Sequence, residues 1–110
     1  MDFPVLDGHM HLDPRGRVEE AVKDFYRAGG SSAIVSNKPY GYPEPSENPR
    51  RWYEDQYETT LGLIERCRKT VPQLWASLGP YPVDMVRLVE KGMSVEGAKE
   101  FLLEGVDVAE

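Results

Sequence analysis

Three short apolar runs alternate with longer segments of helical periodicity, and this alternation is the strongest constraint on the fold. The runs share a length too short for a buried helix, which predicts strands at 3–7, 32–36 and 73–78. The segments between and after these runs predict helices at 17–28, 50–70, 83–91 and from Ser94 onwards, with Ser94 as a candidate N-cap. Strands that alternate with helices pair in parallel through right-handed crossovers, so the sequence predicts an α/β fold.

Three of the four predicted helices carry apolar residues spaced three and four apart, which predicts one buried face on each of the three. The predicted buried residues are Val18, Ala21, Val22 and Phe25, then Tyr53, Tyr57, Leu61, Ile64 and Cys67, then Val95, Ala98, Leu102 and Val106. Gly29-Gly30 and Gly92 are predicted to end the helices that precede them. Trp52 and Trp75 are both expected to be packing residues.

Charge and cysteine content exclude several classes of protein. The 110 residues carry a formal net charge of −6, which argues against strong nucleic-acid binding through phosphate attraction. The single cysteine, Cys67, allows no internal disulfide, favours a reducing compartment and fits a structural thiol. The sequence lacks a secretory signal and a membrane-length apolar run, so we expect a cytoplasmic protein without membrane contact.

The chain's only two histidines, His9 and His11, lie one residue apart in the segment "DGHMHLD". Side chains at i and i+2 of a strand point the same way, so both imidazoles are expected on one side and Met10 on the other. Two neutral imidazoles that converge from one strand make the beginning of a metal site. The alternative is a pair of exposed or capped loop histidines without a ligand.

Four further residues are candidates for the same site. Asp7 and Asp13 lie two residues outside each histidine, where either carboxylate is a potential ligand or an acceptor for an imidazole N–H. Lys38 follows the second predicted strand and Arg15 follows the histidines, so both are candidates to bind a substrate phosphate or carboxylate. For each of these two cations, an exposed loop residue without a function is the alternative.

The stretch Asp7, His9, His11, Leu12 and Asp13 resembles the opening of the amidohydrolase-type TIM-barrel hydrolases, which depend on a metal. The nearest likeness is to the TatD-like branch, whose first strand reads Asp-x-His-x-His-Leu-Asp. Two further segments, "AGGSSAIVSNKPYGYP" and "SLGPYPVD", are similar to an archaeal-type group of predicted TIM-barrel hydrolases within that branch. This resemblance implies that residues 1–110 form a single, incomplete domain. It would be the N-terminal (βα)3 portion of a barrel that usually takes about 250 residues.

The resemblance also implies a chemistry. His9 and His11 would bind one or two divalent ions, preferably zinc, with Asp7 and Asp13 supporting them. The remaining ligands and the catalytic residues are expected beyond residue 110, in the rest of the barrel, supplied in cis or by a companion chain. The implied reaction is hydrolysis of a phosphoester or amide bond, in a small-molecule or phosphoester substrate, by water that the metal activates.

One motif departs from the family, and two alternative functions stay open. TatD-like nucleases usually carry Gly-x-His-Pro after the third strand, where this chain has Gly79-Pro80-Tyr81-Pro82. Phosphoesterases of the polymerase-and-histidinol-phosphatase type also open with His-x-His, but a serine or threonine more often follows, in place of Leu12. The non-enzymatic alternative is a truncated barrel fragment that acts as a structural or interaction module.

Overall fold

The computed structural model describes residues 3–39, 44–45 and 47–110. Its elements follow one another as β1 (Leu6–Met10), α1 (Val18–Arg27), β2 (Ser32–Ser36), α2 (Pro49–Cys67), β3 (Gln73–Ser77), α3 (Val83–Glu90) and α4 (Val95–Ala109). This order confirms the predicted α/β class. Within the described ranges, no helix combines the length and the apolar character needed to cross a membrane.

The chain divides into two compact units. The sheet unit comprises Met1–Asn37 and Glu58–Ser77, and the helical unit comprises Lys38–Tyr57 and Leu78–Glu110. All three strands therefore belong to the sheet unit, together with α1 and the second half of α2. The helical unit holds the first half of α2 and all of α3 and α4.

The three strands form a parallel sheet in the order β1-β2-β3. Because right-handed crossovers that advance in one direction place their helices on one face, α1 and the second half of α2 cover the same side. Contacts between these helices agree with this placement. The Arg66 guanidinium donates to the Glu19 carboxylate at 2.6 Å, and the Cys67 Sγ lies 3.9 Å from the Val18 carbonyl oxygen.

The first strand begins later than predicted, at Leu6 instead of residue 3. Pro4 has no backbone N–H to offer a ladder, and the Val5 carbonyl accepts the first bonds, from Ser31 and Ser32 at 2.9 and 3.2 Å. Pairing then continues to Met10, which lies opposite Val35. The strand therefore continues past residue 7, where it was predicted to end, and His9 lies inside it.

The two faces of the sheet differ sharply in exposure. Ala33, Val35 and Leu74 are buried on the side that the helices cover. On the opposite side Leu6 is 56% exposed and Trp75 is 51% exposed, with Ile34 half-buried between them. We call this side the uncovered face. The prediction that Trp75 is a packing residue is wrong. Trp75 is the register partner of Ile34, and both side chains lie on the uncovered face.

Packing in the sheet unit confirms most of the predicted helix faces. Val18 and Val22 of α1 are buried, whereas Ala21 is exposed. In α2 the predicted Leu61 is 46% exposed, and Thr60 is buried in its place, because Thr60 lies nearer the centre of the buried stripe. The Cys67 thiol is buried, as expected of a structural cysteine, and burial raises its pKa.

Aromatic rings form the core of the helical unit. Trp52, Tyr53, Tyr57 and Phe101 pack together with Leu88 and Ala98. Tyr53 meets Trp52 edge-on at a centroid distance of 4.9 Å and Phe101 at 5.7 Å. This confirms the packing role predicted for Trp52.

The buried face of α4 is rotated from the predicted one. Ala98, Phe101 and Gly105 are buried, while Val95 and Val106 are exposed, so the prediction is wrong at the two valines. Phe101 reaches the aromatic core, and that contact sets the rotation of the helix.

The predicted helix boundaries hold. At the start of α4 the Ser94 hydroxyl accepts from the Gly97 N–H at 3.0 Å. Gly29 and Gly92 have the positive φ that ends α1 and α3.

Two glycines inside helices predict opposite effects of the same substitution. A Cβ on Gly105 would lie 2.7 Å from the Tyr53 ring, whereas a Cβ on Gly62 meets nothing within 4 Å. We expect Gly105→Ala to destabilise the fold by about 1–3 kcal/mol through overpacking. Gly62→Ala, the matched control, should stabilise it by about 0.5–1 kcal/mol through helix propensity. Urea unfolding followed by circular dichroism measures both free energies of unfolding. Equal changes in the two variants would contradict the close packing of Gly105 against the Tyr53 ring.

Candidate metal site

The two histidines converge at the carboxyl end of β1. Met10 pairs with Val35 and therefore faces the helices, so its neighbours His9 and His11 belong to the uncovered face. Their Nε2 atoms lie 3.0 Å apart, and the rings meet edge-on at a centroid distance of 4.8 Å. Both side chains are exposed. The structure thus brings together the two imidazoles that the sequence singles out.

A backbone carbonyl orients His11. The Nδ1 of His11 lies 2.8 Å from the carbonyl oxygen of Ser36, at the end of β2. A carbonyl can only accept, so Nδ1 carries the proton, and the Nε2 of the neutral ring presents its lone pair towards His9. Metal-binding histidines are commonly held in this way through their second ring nitrogen. Ser36 was not predicted from the sequence, although two parallel strands in succession indicate that the end of β2 lies beside the end of β1.

The separation of the two imidazoles fits a shared ion. Two nitrogens that each bind zinc at 2.0–2.1 Å in tetrahedral geometry lie about 3.3 Å apart, close to the observed 3.0 Å. In the part of the chain that the structure describes, no group of three or more His, Cys, Asp or Glu side chains is arranged to hold a metal. His9 and His11 therefore fit as two ligands, whereas a catalytic zinc site takes three protein ligands.

Asp7 does not share the histidine face, because β1 contains one extra residue. Asp7 pairs with Ala33 and Met10 with Val35, so three steps along β1 match two along β2. The expectation that Asp7 binds the ion or accepts from an imidazole assumes a regular strand, and β1 is irregular here. Gly8 and His9 together oppose the single residue Ile34, and the Asp7 carboxylate accepts the His9 backbone N–H at 2.9 Å. Asp7 thus holds the backbone at the bulge, and among the described residues its carboxylate makes no hydrogen bond to an imidazole.

Asp13 and Arg15 form a compact turn just after the histidines. The Asp13 carboxylate accepts from the Arg15 backbone N–H at 2.9 Å and from its guanidinium at 3.2 and 3.1 Å. The Asp13 carbonyl also accepts from the Gly16 N–H at 2.9 Å. This pairing raises the pKa of Arg15, whose side chain remains 66% exposed. Arg15 is therefore oriented by Asp13 while part of its guanidinium faces solvent.

Lys38 and Tyr81 belong to the helical unit. Both side chains are half-buried, and the backbone N–H of Tyr81 donates to Asp84 at 3.3 Å. The proposed contact of Lys38 with a substrate stays a prediction.

Asp84 is a buried carboxyl group that the sequence analysis missed. It is 4% exposed, and one carboxylate oxygen accepts from the Tyr53 hydroxyl at 3.1 Å. Burial raises the pKa of Asp84, although the Tyr53 hydroxyl, the Tyr81 backbone N–H and Arg87 oppose the shift. Burial also raises the pKa of Tyr53, and it raises the pKa of Tyr57 to about 12. The available signal was an acidic residue in the first turn of the helix after Gly79-Pro80-Tyr81-Pro82.

Comparison with known proteins finds a distant relative and no assigned family. The chain is 27% identical over 114 aligned positions to an uncharacterized protein of Methanocaldococcus jannaschii, MJ1127. The alignment covers 97% of this chain and 36% of that protein, so the chain spans about a third of the length of the curated relative it matches. No protein-family model matches the sequence, and no solved structure matches it significantly.

The contact between His11 and Ser36 predicts an unusual tautomer. In metal-free protein we expect neutral His11 to carry its proton on Nδ1, the minor tautomer of free histidine, and His9 to donate from Nε2. Long-range ¹H–¹⁵N NMR of the imidazole nitrogens distinguishes the two forms. An Nε2-protonated His11 would contradict the geometry, and His9 in the same spectrum serves as the internal control.

Asp84 predicts a pH-dependent stability. Its pKa is raised on folding, so the folded state binds this proton more tightly than the unfolded chain does. Stability should therefore fall as pH rises above about 4, the unfolded value, and level off above the folded pKa. Asp84→Asn keeps an acceptor for Tyr53 and removes this titration, so its advantage over the wild type should grow across that window.

Urea midpoints measured from pH 3.5 to 7.5 test this expectation. Glu96→Gln, also in the first turn of a helix but exposed, is the matched control. A difference between wild type and Asp84→Asn that stays constant with pH would contradict it.

Proposed function

We propose that the protein is a metal-dependent hydrolase of the TatD-like type, in which His9 and His11 bind a divalent ion, preferably zinc. One observation carries the proposal. The two Nε2 atoms converge to 3.0 Å at the carboxyl end of a parallel strand, with His11 held by a carbonyl through Nδ1. Carboxyl ends of parallel strands are where α/β enzymes place their reactive groups.

The topology of the sheet unit supports a barrel as the parent architecture. Sequential strand order with both crossover helices on one face is the winding of a (βα)8 barrel, whereas doubly wound sheets place helices on both faces. The uncovered face, with Leu6, Ile34 and Trp75, would then be the interior of the barrel. The alignment covers 36% of the archaeal relative, so the rest of that protein is long enough for further βα units. They would be supplied in cis or by a companion chain.

The chemistry divides between the ion and the chain. A bound divalent ion supplies Lewis acidity and lowers the pKa of a water molecule. The side chains of His9 and His11 hold the ion, and the Ser36 carbonyl keeps the lone pair of His11 directed at it. The turn of Asp13 and Arg15 fixes the loop that borders the site and presents a cation to an anionic phosphoester or small-molecule substrate. The residues that move protons are expected outside this chain segment.

Histidine substitutions test the proposal in the full-length protein. His9→Ala and His11→Ala should each lower the zinc content, measured by elemental mass spectrometry. Each should reduce hydrolysis of p-nitrophenyl phosphate esters by more than about a hundredfold, exceeding the loss typical of outer-shell partners. Met10→Leu is the matched control, because Met10 lies between the histidines but faces the helices.

Two outcomes would count against the hydrolase. Wild-type protein that retains no divalent ion and cleaves no ester would favour the non-catalytic module. Histidine variants that keep both zinc and activity would show that the reaction does not depend on His9 and His11.

A further inference from the structure

Two serines end the strands next to the histidines. Ser36 is the last residue of β2 and Ser77 the last of β3, and they are register partners. Alternation along the strands places both side chains on the same side as Ile34 and Trp75. This is the uncovered face, to which His9 and His11 also belong. The carboxyl ends of three adjacent strands therefore present two imidazoles and two hydroxyls side by side.

Backbone hydrogen bonds hold the ends of these strands together, and the two serine hydroxyls stay free to bind a ligand. The Asn37 N–H donates to the Ser77 carbonyl at 3.2 Å, and the Ser36 carbonyl accepts from His11 at 2.8 Å. Neither serine hydroxyl has a hydrogen-bond partner among the residues that the structure describes. Ser36 is half-buried and Ser77 is exposed. Adjacent strands lie about 4.8 Å apart, so the two hydroxyls form a pair of neighbouring donors.

We propose that Ser36 and Ser77 bind the phosphate group of a phosphate monoester, the substrate class of the proposed hydrolase; this assignment rests on that function. Hydroxyl groups that donate to an anion make charge-assisted hydrogen bonds. Hydroxyls on adjacent strands, about 4.8 Å apart, are close enough to reach one phosphate group, and each can take a different non-bridging oxygen.

The number of anchoring groups favours a monoester. Ser36, Ser77 and an ion that His9 and His11 would hold offer three anchoring groups, one for each of three oxygens. A phosphate monoester has three non-bridging oxygens, a diester has two, and a carboxylate has two in one plane. The serines therefore act as specificity residues that hold the substrate, and they take no part in proton transfer.

Phosphate binding tests this assignment separately from catalysis. Inorganic phosphate is titrated into full-length, zinc-loaded protein by calorimetry, and zinc content is measured for every variant. Ser36→Ala and Ser77→Ala should each weaken phosphate binding by about tenfold or more, as expected for hydrogen bonds to a charged group. Zinc content should be unchanged. Ser32→Ala is the matched control, because Ser32 lies on the same face at the other end of β2.

The outcomes separate this inference from the proposed function. Serine variants that bind phosphate as wild type does, or a Ser32→Ala variant that loses as much, would overturn the serine pair even if the protein is a hydrolase. Wild type that binds no phosphate at millimolar concentration would overturn it too. If phosphate affinity falls in the two variants while wild type cleaves no ester, the anion site stands and the hydrolase fails. Faster cleavage of bis(p-nitrophenyl) phosphate than of p-nitrophenyl phosphate would overturn the monoester assignment.

Discussion

The pairing of β1 with β2, with one extra residue in β1, determines which side of the sheet the two histidines face. The bulge at Gly8 and His9 leaves Met10 opposite Val35 and turns both imidazoles to the uncovered face. The same pairing brings the Ser36 carbonyl to His11. A regular strand would instead place Asp7 on the histidine side. A single inserted residue thus separates the groups available to a ligand from the carboxylate that holds the backbone.

Hydrophobic periodicity was sufficient to predict the class and the order of the elements. Strands β2 and β3 and helices α1, α3 and α4 lie within a residue or two of the predicted bounds, since apolar patterns and glycine stops are local signals. The faces of the helices were less predictable. Whether Val106 or Gly105 is buried in α4 depends on the Tyr53 ring, which is distant in sequence.

The two histidines of the candidate site were predictable from the sequence, and the contacts around them were less so. Two histidines one residue apart identified the metal hypothesis without a structure. The bulge was not predicted because it depends on how β1 pairs with β2, and no residue type in β1 specifies that register. The buried Asp84 escaped for a related reason. Its partner Tyr53 lies 31 positions away, and only folding brings the two together.

The exposure of the two tryptophans gives each unit its own optical reporter. Trp52 is 9% exposed in the helical unit, and its indole N–H donates to the Glu44 carbonyl at 3.0 Å. Trp75 is 51% exposed on the uncovered face of the sheet unit. Indole emission shifts to shorter wavelength as water is excluded. Anything that covers the sheet therefore changes the long-wavelength component of the fluorescence and leaves the short-wavelength component in place.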